Sequence, residues 1–167
     1  MAVGLYVFVS NCLYLTLNKS KRIFMRDTML RQQRDIALFR AYQQALKEHS
    51  FENQRDAVNY VRTHPAPSWF VSPEFCAAVL SSMDRGRDHY KMGKEKKRKF
   101  LALHELYREK KKVFPYCGMC HLTLCREIAS MPAPEWYLGY EMAAKIINEQ
   151  IRLRNERIAE RYARRMD

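Results

Sequence analysis

The chain has 167 residues, 47% of them hydrophobic and 12% aromatic, enough to bury a core without covalent staples. Thirty Lys and Arg against eighteen Asp and Glu leave a net charge of +12, which favours polyanions: nucleic acid or an acidic membrane face. Five Gly and six Pro disfavour a turn-rich sandwich or barrel, and the absence of a P-loop, a dinucleotide-binding glycine pattern or a nucleophile elbow argues against an enzyme.

Residues 1–25 open with an apolar run, AVGLYVFVSNCLYLTL, followed by Lys19, Lys21 and Arg22. The run is short for a spanning helix and is interrupted by Asn11. As a signal peptide it lacks a positive region ahead of the apolar stretch. Three readings stay open: a start codon placed too early, with Met25 and Met29 beyond it; a strand or packing arm built on Leu5 to Val9; or export or membrane anchoring.

The first helix is expected at about 29–48, with Ile36, Phe39, Tyr42 and Leu46 on one face. Ser50 and Asn53 offer starts for a second helix carrying Ala57, Val58 and Val61, which His64-Pro65 ends. An extended Pro65-Ala66-Pro67 follows, and Trp69 and Val71 are expected to fold back onto the core. Ser72-Pro73-Glu74 combines a serine cap, proline at the first helical position and a carboxylate in the first turn. That third helix carries Phe75, Ala78, Val79 and Met83 and stops near Gly86.

A basic linker, 87–95, runs into a helix at about 96–112. Arg85, Arg87, Lys91, Lys94, Lys96, Lys97, Arg98 and Lys99 face only Asp88 and Glu95 within this stretch, and Arg108, Lys110, Lys111 and Lys112 extend it. Cys117-Gly118-Met119-Cys120-His121 has the form that attaches a c-type haem, and with Cys125 it also suggests a zinc site. Haem attachment needs export, however, and adjacent Cys120 and His121 cannot easily hold one ion. Reduced thiols with no cofactor are the preferred reading, and an odd total of five cysteines suits a reducing cytoplasm.

A short helix at about 121–131, an extended Pro132-Ala133-Pro134 and a last helix at about 140–165 complete the chain. Ala143, Ile147, Ile151, Ile158 and Tyr162 form the apolar stripe of this last helix, with six arginines around it after residue 151.

Pro65-Ala66-Pro67-Ser68-Trp69-Phe70-Val71 recurs as Pro132-Ala133-Pro134-Glu135-Trp136-Tyr137-Leu138, 67 positions on. Ala37-Leu38 with Tyr42 matches Ala102-Leu103 with Tyr107 at 65. The expected fold is therefore all-α: two tandem three-helix repeats, 26–86 and 96–167, helix-turn-helix-like, with a long basic C-terminal helix. One such unit cannot close a large core alone, so the two are expected to pack together or touch. Within copy two, Gly139-Tyr140-Glu141 replaces Ser72-Pro73-Glu74, which weakens its cap.

The Pro-Ala-Pro-x-aromatic-aromatic-aliphatic string between two helices resembles a group of small basic proteins of gut bacteria and their mobile elements. The resemblance covers about residues 30–150 and implies no activity. The order of helices is also similar to helix-turn-helix modules, although the connection before the third helix is longer than usual.

The functional expectation is a cytoplasmic, non-enzymatic accessory or regulatory protein that binds the backbone of DNA, or else RNA, through the basic linker and final helix. PEFCAAVLSSM offers no side chain to read a base edge, so readout falls to Lys145, Asn148, Gln150 and Arg152, with Arg154 a further nucleic-acid contact. The alternative is a protein–protein adaptor or structural component, forming a homodimer or holding another protein through the last helix. A remote alternative is an exported haem or zinc protein using Cys117, Cys120 and His121. No small-molecule substrate is evident.

Overall fold

The computed structural model describes residues 28–87 and 92–166, with the side chain of Met166 excepted. The readings of residues 1–25 and of Lys91 lie outside the described residues. The fold is all-α, with six helices among the described residues: α1 (28–48), α2 (Gln54–Thr63), α3 (Pro73–Asp84), α4 (Lys94–Lys110), α5 (His121–Ser130) and α6 (Tyr140–Met166). A 3-10 turn, Tyr116–Gly118, precedes α5.

Local chemistry sets several of these boundaries. Asn53 caps α2 by accepting from the Asp56 amide at 3.0 Å. The helix ends at His64, whose extended backbone is what the following proline demands. Ser72 accepts from the Phe75 amide at 3.3 Å, and Pro73 opens α3. Beyond α3, Gly86 turns the chain at φ +66°, a conformation that a side chain would strain.

One core runs through both halves of the chain. Leu38, Val58 and Leu80 from the first share it with Leu103, Leu124, Ile128 and Ile147 from the second, all fully buried or nearly so. Two helices present a different face from the one their sequence suggested. In α1 the buried stripe is Leu38, Tyr42 and Ala45, while Ile36 and Leu46 are exposed. In α3 it is Cys76, Val79 and Leu80, while Phe75 and Ala78 face outward. Apolar residues flank the core stripe on both sides in each helix, so periodicity alone admits either choice.

The main packing crosses between halves. α3 lies most extensively on α5, and α2 on α6, while α4 touches both α3 and α5. A helix-turn-helix instead sets its two helices against each other across a short turn. Here the stretch 64–72 separates α2 from α3, and each of them packs on a helix of the other half.

The two Pro-Ala-Pro segments meet along this crossing. The Ala66 amide donates to the Ala133 carbonyl and the Ala133 amide to the Ala66 carbonyl, both at 2.9 Å. Beside them Trp69 stacks on Tyr137 with centroids 5.5 Å apart, and Phe70 on Trp136 at 5.8 Å. Phe70 and Tyr137 both take left-handed backbone, at φ 46° and 51°. That conformation costs a non-glycine residue about 1–2 kcal/mol, here offset by stacking and burial. Both tryptophans are buried, as their place beside the prolines suggested.

Candidate functional site

The basic residues singled out in the sequence fall into three kinds. Arg85, Arg87 and Lys94 stand exposed at the end of α3, in the stretch after it and at the start of α4. Lys97 is exposed one turn into α4. The amino end of α4 has no side-chain cap and begins Lys94-Glu95-Lys96-Lys97. Cations at the positive end of a helix dipole are unfavourable, offset here in part by Glu95 in the same turn.

Arg98 belongs to a second kind. Its guanidinium bridges Glu95, at 2.6 Å, and Glu135 in the second Pro-Ala-Pro segment. The hydrogen bond to Glu135 is the largest influence holding its proton more tightly than usual. Arg152 is similar, held between Glu149 and Glu156 at 2.6 Å each, and the same contact keeps the Glu149 carboxyl below its ordinary range. Both arginines are among the expected nucleic-acid contacts; each pairs with carboxylates three or four residues away on its own helix, and Arg98 also with Glu135 from the second Pro-Ala-Pro segment.

Lys96 and Lys99 form the third kind. Lys96 lies over the Phe75 ring at 4.7 Å. Lys99 is largely buried and donates to the Phe70 carbonyl at 3.4 Å. Burial, and then the neighbouring Arg34, bring its amine down to about 8. Both line a cleft between α1 and α4.

On α6, Lys145 is exposed, and Asn148 accepts from Gln54 Nε2 at 2.9 Å, which ties α6 to α2. Gln150 is half-buried. From Arg154 to Arg165 every residue of α6 is exposed. A helix of 27 residues is about 40 Å long, so close to half of α6 stands clear of the core. This outer part carries Arg154, Arg157, Arg161, Arg164 and Arg165 against Glu156 and Glu160.

The cysteine segment is dispersed by the fold. Cys117 is exposed on the 3-10 turn, whereas Cys125 is buried on α5 against Cys76 of α3. The hydrogen bond to Cys125, together with burial, pushes the Cys76 thiol up and keeps it protonated. Cys120 flanks the start of α5 with its sulfur 3.0 Å from the Thr123 hydroxyl, a contact that lowers its thiol. Both nitrogens of His121 are engaged: Nδ1 with Tyr107 Oη at 2.8 Å and Nε2 with the Ala77 carbonyl at 2.9 Å. A carbonyl only accepts, so Nε2 carries the proton and Nδ1 accepts from the tyrosine. Among the described residues no group of three His, Cys, Asp or Glu is placed to hold a metal ion.

Sequence reasoning missed Arg31 and Arg34 of α1. They lack the density of charge that drew attention to residues 85–99, yet the fold brings them beside Lys96 and Lys99. No helix among the described residues is long and apolar enough to cross a membrane. Comparison with protein-family models, curated proteins and solved structures returned no match to this chain.

Proposed function

We propose that the protein binds nucleic acid, DNA in the first place, as a non-enzymatic accessory or regulatory factor. The observation that carries this reading is the outer half of α6, an exposed helix with five arginines outside any ion pair among the described residues. Such a helix can lie in a groove or along a phosphate backbone. The uncapped, lysine-rich start of α4 supplies a second set of phosphate contacts. Arg98 and Arg152 leave the contact set and act as braces.

A second reading rests on a different observation. Ile158 and Tyr162 continue the buried stripe of Ala143 and Ile147 out into solvent, exposed to 38% and 64%. A partner helix, from a second copy or another protein, could cover that stripe.

Mobility-shift titration at two salt concentrations decides between them. One variant carries Lys94→Gln and Lys97→Gln; the other replaces Arg154, Arg157, Arg161, Arg164 and Arg165 by Gln. Binding that weakens steeply with salt and is lost in the arginine variant supports nucleic-acid binding. Equal binding by all three proteins overturns it.

A further inference from the structure

A cleft of about 540 Å³ opens between α1, α4 and the two segments that follow the Pro-Ala-Pro turns. Its size lies within the range of sites for small organic ligands. Its walls come in matched pairs. Phe70 stands 67 positions before Tyr137 and Phe75 the same distance before Met142; Arg31 and Arg34 stand 65 before Lys96 and Lys99. All eight line the cleft, and each has a chemically similar counterpart at the repeat offset in the other half of the chain.

Cations dominate the charge. Arg34 is held by Asp35 at 2.7 Å, and Glu95, the carboxylate in the lining, is turned to Arg98. That leaves Arg31, Lys96 and Lys99 with no carboxylate of their own among the described residues. The groups acting on the Lys99 amine are Arg34, which disfavours its proton, Cys76, which favours it, and Lys96, which disfavours it. No carboxylate offsets them. Burying a lysine among cations costs stability, and a bound anion removes that cost.

The apolar part of the lining is also open to a ligand. Phe75 and Met142 remain 41% and 50% exposed although they border the core. Trp136 lines the cleft as well, and its buried indole N–H has no hydrogen-bond partner among the described residues. Aromatic faces beside clustered cations suit a flat ring carrying a phosphate.

We propose that this cleft is a binding site for a nucleoside phosphate, its phosphate held by Arg31, Lys96 and Lys99 and its base against Phe75 and Phe70. The site requires no polymer and stands apart from the outer half of α6. Its ligand is either a free mononucleotide or the phosphorylated end of a strand, since both present the same chemistry.

Calorimetric titration of the full chain with AMP, adenosine and a 5′-phosphorylated tetranucleotide tests it, with Arg31→Gln/Lys99→Gln as the variant. The expected result is saturable AMP binding, at least tenfold weaker for adenosine and tenfold weaker in the variant. Thermal unfolding of the variant at or above the wild-type midpoint shows that the loss is not one of folding. Competition by the tetranucleotide assigns the site to strand ends, and its absence assigns it to free nucleotides. No AMP binding at millimolar concentration, equal binding of adenosine, or unchanged binding by a folded variant overturns the proposal. The α6 arginine variant should bind AMP as wild type does, so the two readings fail separately.

Discussion

Tyr107 donates its hydroxyl proton to Nδ1 of His121 across 2.8 Å, joining α4 to α5. The imidazole passes the link on to α3 through the Ala77 carbonyl. Gln54, 67 positions earlier, stands in the same relation to Tyr42 and reaches Asn148 of α6. The histidine that drew notice as part of a C-x-x-C-H string is thus a polar pin between helices.

Replacing it by alanine should cost about 1–3 kcal/mol, the penalty of stranding a half-buried hydroxyl and carbonyl. His121→Gln should cost less than about 1 kcal/mol, since glutamine already does this job at position 54. Urea unfolding of the two variants measures both. A glutamine variant as damaged as the alanine one would remove the structural explanation.

Lys99 gives a pH-dependent test. Its amine is at about 8 in the fold and near 10.5 when the chain is unfolded. Between these values the unfolded chain binds more protons, so stability rises with pH through this window. Lys99→Met should therefore be more stable than wild type at pH 7, by on the order of 1–2 kcal/mol, with the gap closing toward pH 10. Denaturation midpoints at pH 7 and pH 10 report it, and the difference between the proteins cancels the other groups that titrate there.

Arg98→Gln should leave affinity for a DNA duplex within about twofold, because its charge is already matched by Glu95 and Glu135. Lys94→Gln/Lys97→Gln should reduce the slope of log K against log salt by about 1–2. Fluorescence anisotropy over a salt series would show whether the Arg98 variant and the double-lysine variant differ in this way.

Ending the chain after Leu153 should change stability by less than about 1 kcal/mol, since residues 154–165 are all exposed. The shortened protein should nevertheless lose most of its affinity for nucleic acid. Unfolding and binding measured on the same preparation separate the two effects.

Most of the helical boundaries were legible in the sequence because single residues enforce them. Ser72-Pro73-Glu74 starts α3 where expected, and His64-Pro65 ends α2. The positions of α5 and α6 follow from the second Pro-Ala-Pro segment in the same way. Partner choice was not legible. Nothing in the stripe of Val58 and Val61 states whether it will meet α3 or α6, since apolar burial carries no direction. The site divided along the same line. A dense run of lysines is visible in one dimension, but its neutralisation by Glu135 and its approach to Arg31 and Arg34 depend on chain segments far apart in sequence.

The crossing of α2 onto α6 and α3 onto α5 has a consequence for the integrity of the molecule. A cut between Arg87 and Met92 would sever the backbone without releasing either piece, because each fragment supplies what the other lacks. Two separately expressed fragments, 28–87 and 92–167, should be largely unfolded alone and regain helicity when mixed. The same exchange is open to two intact chains, whose first half could clasp a neighbour's second half at high concentration.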